Sequence, residues 1–218
     1  MKTLIFDLDG TILDTLQDLK NAVNHALNFY NLPEKDLEFV RKAIGNGTTV
    51  LIQRCTPSSL NEKDREMVFK EFKEYYLSHY AVFTRPYPGI KEMVLKLKGL
   101  VRLVVVSNKD HDLTNKIINR VFPQVFDIIQ GSYLNHPKKP NPYLINKVLN
   151  ENNISKSDCL YIGDTDVDKE SAIQAGLKYC LVNYGYRTKK ELDILCPNEE
   201  TINDVDALYN YILKWVNL

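Results

Sequence analysis

The chain has 218 residues, 44% of them hydrophobic and 26% charged, enough to bury a full core and suited to one ordinary domain with a smaller companion. Its 28 basic residues balance 28 acidic ones, so the composition points to neither a nucleic-acid nor a membrane partner, and no apolar run approaches the roughly 20 residues that span a bilayer. Cys55, Cys159, Cys180 and Cys196 are scattered without a Cys-x-x-Cys pair, which argues against a zinc site or a disulfide framework; the apolar start meets Asp7 too early for a signal peptide, so a cytoplasmic location is expected.

In chain order, Thr3 to Phe6 reads as an apolar strand that delivers Asp7 and Asp9, two residues apart, to its carboxyl end. Asp9-Gly10 also favours a hairpin turn, but a hairpin needs a second strand, and Leu13, Leu16, Leu19 and Val23 follow with helical spacing instead. Two carboxylates so placed suit holding Mg²⁺ and attacking phosphorus. From about Leu16 to Thr84 the apolar positions keep a 3.6-residue period, as in Leu19, Val23, Ala26 and Leu27 and again in Met67, Val68, Phe72, Tyr75, Tyr76 and Tyr80. Arg85-Pro86-Tyr87-Pro88-Gly89 then punctuates a return to the core. The expected organisation is a core made of residues 1–15 and 85–218, with an all-helical cap, residues 16–84, inserted after the first strand.

Arg102 to Val106 is the next strand, ending in Ser107-Asn108-Lys109 before a helix that starts near Asp110 and Asp112. A hydroxyl and an amide at a strand end suit a phosphate cradle, although the same residues also cap helices. Asp127 to Ile129 reads as a further strand. Pro137-Lys138-Lys139-Pro140-Asn141-Pro142 holds a lysine in a stiff loop ahead of a helix beginning near Tyr143, and a fixed ammonium there can offset the charge of an aspartate and a phosphate. Of the two lysines, Lys139 is the one expected to point inward. Leu160 to Ile162 is a strand leading to Gly163-Asp164-Thr165-Asp166-Val167-Asp168 and a helix over Lys169 to Ala175. That acidic spacing imitates the opening of a calcium-binding loop, but Lys169 and Ala175 stand where such a loop needs glycine and glutamate. A strand-end Asp164 completing a magnesium site, with Asp168 orienting the ligands, fits better. Cys180 to Val182 is the last strong strand, and Ile202, Val205, Leu208, Tyr209, Ile212 and Val216 trace the face of a terminal helix.

Apolar strands alternating with helices predict an α/β fold with a doubly wound, Rossmann-like parallel sheet, whose ligands bind beyond the carboxyl ends of the strands. All four polar segments fall at such ends. His25, His79, His111 and His136 share no metal-ligand spacing, and Tyr184-Gly185-Tyr186-Arg187 reads as lining the site entrance or, equally well, as a tight turn.

In this order and spacing, Asp-x-Asp-Gly-Thr, Ser-Asn, Lys-Pro-x-Pro and Gly-Asp-Thr-x-x-x-Asp resemble the four motifs of the haloacid dehalogenase superfamily. The resemblance implies Asp7 as nucleophile, Asp9 as general acid and base, Ser107 with Asn108 and Lys139 as phosphate binders, and Asp164 as a magnesium ligand with the Asp7 carboxylate and the Asp9 backbone carbonyl. The loop Gly45-Asn46-Gly47, with its flanking residues, resembles the cap loop of bacterial phosphoglycolate phosphatases, which implies 2-phosphoglycolate as substrate. An Asn-Gly turn between two helices explains the same residues without a ligand. Asp9 argues against carbon–halogen chemistry; a β-phosphoglucomutase-like phosphosugar mutase is an alternative activity, although Thr48 or Thr49 stands where such mutases carry a phosphate-gripping arginine. Sugar phosphates, nucleoside monophosphates and pyrophosphate are alternative substrates, and a phospho-accepting receiver module is the alternative of a different class. The expected partners are a small phosphorylated metabolite and, at most, a second copy in a weak homodimer.

Overall fold

The computed structural model describes Met1–Asn217 and divides into two compact units, one made of Met1–Leu13 and the chain from Pro86 onward, the other of Asp14–Arg85. In the first unit β1 (Thr3–Phe6) is completely buried, as a strand covered on both faces must be. The chain leaves this unit along β2 (Leu13–Asp14). The second unit carries α1 (Leu16–Phe29), α2 (Leu37–Ala43), α3 (Thr48–Cys55) and α4 (Glu62–His79), and the chain returns along β3 (Arg85–Pro86), which pairs with β2. Then follow α5 (Ile90–Leu97), β4 (Arg102–Asp110), α6 (His111–Val121), β5 (Ile128–Ser132), α7 (Tyr143–Glu151), β6 (Cys159–Gly163), α8 (Asp166–Ala175), β7 (Lys178–Val182), α9 (Lys189–Leu195), β8 (Thr201–Ile202) and α10 (Val205–Val216).

The main sheet has the strand order β5-β4-β1-β6-β7-β8, and the pairings of β1 with β4 and β6, of β4 with β5, of β6 with β7 and of β7 with β8 are all parallel. After β5 the chain crosses back through α7 to the other side of β1, so the order reverses there. In a doubly wound sheet the ligand crevice opens at that reversal, beyond the carboxyl ends of the strands. Side chains alternate across the sheet: Ile5, Val104, Val106, Cys159 and Tyr161 pack against Leu144, Ile145, Val148 and Leu149 of α7 and Ala172 and Ala175 of α8. Leu4, Phe6, Leu103, Val105, Leu160 and Ile162 fall on the opposite face and are fully buried too.

The structure departs from the sequence-based expectation in four places. Gly10 N donates to Leu13 O and Leu13 N to Leu8 O, so Asp9-Gly10 does form a tight turn, and Leu13 opens the short strand β2 instead of a helix. β4 runs on through Ser107, Asn108 and Lys109, and the cap of α6 is Asp110, whose carboxylate accepts from Asp112 N and Leu113 N. α8 begins at Asp166, three residues earlier than expected, because Thr165 and Asp168 form a reciprocal capping box. Ile202 lies in β8 beside Val182, and not on the terminal helix.

The helical unit is bound together by packing and by one buried acid. Leu19, Val23, Ala26 and Leu27 of α1 and Val68, Phe72 and Tyr76 of α4 are buried, while Met67 is exposed. Asp18 accepts hydrogen bonds from Phe83 N and Thr84 N and from the Thr84 hydroxyl at 2.7 Å, which fastens the end of this unit to its first helix. Asp36 and Asn61 cap α2 and α4. All four cysteines are free and buried, and among the described residues no helix is long and apolar enough to cross a membrane.

Candidate active site

The carboxyl ends of β1, β4 and β6, together with the loop after β5 and the start of α8, bring a cluster of polar side chains of the first unit together. Asp7 follows β1 directly and is 7% exposed. Its Oδ1 accepts from Lys139 Nζ at 2.6 Å. The same ammonium donates to Asp168 Oδ1 at 2.7 Å, to the Tyr161 hydroxyl at 2.8 Å and to Val106 O at 3.2 Å. Lys139 is therefore the buried lysine of its pair, while Lys138 is only half-buried.

Asn108 explains how the lysine is held. Its Oδ1 accepts from Lys139 N at 2.7 Å and its Nδ2 donates to Lys139 O at 2.9 Å, a two-way clasp between β4 and the lysine loop. Ser107 is 2% exposed, and its Oγ accepts from Lys109 N. Asp9 turns to a different cation: Lys109 Nζ donates to its two carboxylate oxygens at 2.9 and 2.8 Å.

Asp164 follows β6 directly and has no exposure. Thr11 Oγ1 donates to its Oδ1 at 3.1 Å and Tyr186 N to its Oδ2 at 2.7 Å. Two glycines make the approach possible. Gly10 has φ +93°, and a Cβ there would strike the Asp164 carboxylate; a Cβ on Gly185 would strike Gly10 O and Asp164 Cβ. Asp168 is pinned from two sides, since its Oδ2 accepts from the Thr165 hydroxyl at 2.7 Å and its Oδ1 accepts from Lys139 and Tyr161.

One carboxylate oxygen from each of Asp7, Asp164 and Asp168 lies within 4.8 Å of the others, and all three residues are buried. The structure thus groups the Asp168 carboxylate, and not that of Asp9, with Asp7 and Asp164. Burial pushes Asp7 up to about 7, opposed by the Lys139 charge and reinforced by Asp168 and Asp9. Burial, with the charges of Asp168 and Asp7, also holds Asp164 well above the usual carboxylate range, against the hydrogen bonds from Tyr186 and Thr11. Burial disfavours the Lys139 ammonium, but Asp168 and Asp7 outweigh it and hold the group well above its ordinary value. Lys109 pairs with Asp9 and Lys139 with Asp7 and Asp168, while the Asp164 carboxyl group, beside Asp7 and Asp168, has no lysine of its own among these pairs. The surplus of negative charge on hard oxygen donors fits a divalent cation.

Sequence reasoning did not single out Lys109, Tyr161, Thr11 or the Tyr186 backbone. Lys109 lies just beyond the apolar run that ends at Val106, and a lysine so close to a buried strand was the available signal. Gly45, Asn46 and Gly47 lie in the helical unit between α2 and α3. Gly45 and Gly47 have φ +125° and +86°, and Arg54 fastens the loop by donating to Ala43 O at 2.8 Å and to Asn46 Oδ1 at 2.9 Å.

The family model described as haloacid dehalogenase-like hydrolase matches residues 4–182. A phosphoglycolate phosphatase of Aquifex aeolicus is 36% identical over 189 residues, covering 85% of this chain and 86% of that protein. Phosphoglycolate phosphatase 1 of Pseudomonas aeruginosa is 31% identical over 193 residues, covering 85% and 70%. Among solved structures, one described as a predicted phosphoglycolate phosphatase from Haemophilus somnus superposes with a TM-score of 0.85 at 27% identity, over 99% of this chain and 97% of that one.

Proposed function

The chain belongs to the haloacid dehalogenase-like hydrolase family and is a phosphatase, and we propose that it hydrolyses 2-phosphoglycolate with Mg²⁺ through an aspartyl phosphate on Asp7. The observation that carries this reading is the buried Asp7 carboxylate at the end of β1, paired with Lys139 at 2.6 Å and grouped with Asp164 and Asp168. The choice of phosphoglycolate is supported by the names of the two curated relatives.

The steps follow from these side chains. An Asp7 oxygen attacks phosphorus in line with the leaving alcohol; the bond from phosphorus to the ester oxygen breaks, and Asp9, as the acid, gives that oxygen its proton. Asp9, now a carboxylate, takes a proton from water. The resulting hydroxide attacks the aspartyl phosphate, the bond between phosphorus and Asp7 breaks, and inorganic phosphate leaves with Asp7 restored. Lys139 and the Ser107 hydroxyl bind the phosphoryl oxygens, while Asn108 acts by fixing Lys139. Asp7, Asp164 and the Asp9 backbone carbonyl would hold the Mg²⁺, with Asp168 orienting the set; bound there, the ion supplies positive charge against the phosphoryl group. The helical unit is assigned the role of a substrate-selecting cap, with Gly45, Asn46 and Gly47 as its substrate loop. The protein is read as cytoplasmic, with a small phosphorylated metabolite as its partner.

The test is phosphate release from a panel of 2-phosphoglycolate, β-glucose 1-phosphate, nucleoside monophosphates and pyrophosphate, with and without Mg²⁺. Preferred, Mg²⁺-dependent release from phosphoglycolate is expected; preference for another member would retain the chemistry and replace the substrate.

Burial also gives the site a pH signature. The folded Asp7 value of about 7 lies above its unfolded value of 3.8, so between about pH 4 and 7 the native state binds the extra proton and its stability falls as pH rises. A cation that needs the ionised carboxylate must displace that proton at low pH. The rise in Tm on adding Mg²⁺ is therefore expected to grow from pH 5 to pH 8, as differential scanning fluorimetry will report. A shift of equal size at both pH values would contradict this account of the site.

A further inference from the structure

Lys109 is 3% exposed, yet none of the steps above uses it. Its backbone lies in the register shift between the Val106 and Asp110 pairings of β4 with β5 and is held there by hydrogen bonds: its N–H donates to Ser107 Oγ at 3.2 Å, and its carbonyl accepts from Ser132 Oγ at 3.3 Å. Gly131 packs against that carbonyl so closely that a Cβ would collide with it. From this fixed base the side chain delivers one ammonium to both oxygens of Asp9, 100 residues away in sequence. An ammonium withdrawn from water is costly, and an apolar side chain of similar volume would fill the same space without that penalty. The cation is thus explained by what it does to Asp9, both of whose carboxylate oxygens it engages.

We infer that Lys109 is a positioning residue for Asp9: by clamping its carboxyl group from the inner side, it fixes the orientation from which Asp9 hands a proton to the leaving oxygen and later takes one from water. This rests on the reading of Asp9 as acid and base. The clamp leaves the attack by Asp7 and the grip on the phosphoryl group to other residues, Lys139 and Ser107, so its loss should tell only where a proton must be moved.

That gives a readout a merely structural role would not move. A leaving alcohol needs the proton from Asp9, whereas 4-nitrophenolate leaves as a stable anion and does not. In Lys109→Met and Lys109→Gln, kcat/KM for the best alkyl phosphate of the panel is expected to fall about 10²-fold, the size typical of a misplaced acid, while kcat/KM for 4-nitrophenyl phosphate stays within about threefold. If the methionine variant does not fold, the glutamine variant carries the comparison. Equal losses on both substrates, as for a phosphate-binding or purely structural lysine, would overturn the inference, and so would no loss on either. Turnover of the panel by the parent measures the earlier reading separately: a parent active on an alkyl phosphate other than phosphoglycolate leaves the Lys109 test intact, and a parent active on no alkyl phosphate overturns both.

Discussion

Asp7→Asn is expected to lower kcat by about 10⁴-fold or more while leaving the fold intact, because an amide cannot form the phosphoenzyme and no neighbouring group replaces it in line. Asp9 is held by Lys109, and Asp168 is engaged by Lys139, Tyr161 and Thr165, so neither is free to take over the attack. Stability should move in the opposite direction from activity. In the metal-free protein, ionising Asp7 places a charge out of water and beside Asp168 and Asp9, and burial with this repulsion outweighs the attraction to Lys139, since the group is held at about 7. Above that pH the asparagine variant lacks this burden. Its metal-free Tm is expected to match or exceed that of the parent at pH 8, and its response to Mg²⁺ to be small. Steady-state phosphate release and thermal melts decide the matter together. Turnover that persists in Asp7→Asn would remove the covalent mechanism, and a large loss of Tm would show that the charge is structural.

Most of the acidic half of this site was legible in the chain because it rides on the strongest local signal a sequence carries, a short apolar run that stops at a carboxylate. Asp7 and Asp164 each follow such a run directly, and parallel strands bring their carboxyl ends to one side of the sheet. The basic half was less legible. Lys139 was found through its prolines, but the destination of its ammonium, shared among Asp7, Asp168 and Tyr161, depends on β1, on β6 with the helix α8 that follows it, and on the Asn108 clasp. Tyr161 alternates correctly as a core residue of β6, and nothing local distinguishes its hydroxyl from that of a tyrosine at the surface. Lys109 sits in a polar stretch that reads as a strand end followed by a cap, whereas pairing with β5 carries β4 on to Asp110. The two-residue strands are beyond periodicity altogether: Ile202 falls by chance on the same helical stripe as Val205 and Leu208, and only its neighbour Val182 makes it a strand.

Lys139→Met is expected to damage both halves of the protein's behaviour, and by a different route from Asp7→Asn. The ammonium is 3% exposed and compensates two buried carboxylates at 2.6 and 2.7 Å. Replacing it with an apolar chain of similar length keeps the packing and leaves Asp7 and Asp168 without a counter-charge. Breaking a buried pair from one side costs about 3–5 kcal/mol. For a chain of this size that is roughly a 10 °C fall in Tm. The deficit should be smaller at pH 5 than at pH 8, because a proton on Asp7 then removes one of the stranded charges; with Lys139 gone, Asp7 loses the attraction that had been lowering it, which widens the range in which the proton can serve. A divalent cation offers the other remedy, so Mg²⁺ should raise the Tm of the variant by more than it raises that of the parent. Arginine is not expected to rescue either property, since a planar guanidinium cannot place one nitrogen within reach of four surrounding oxygens. Melting curves at the two pH values, with and without Mg²⁺, test every part of this. A Lys139→Met protein that melts within about 1 °C of the parent at pH 8 in the absence of metal would mean that the carboxylates are already neutral there, and that the ammonium serves substrate alone.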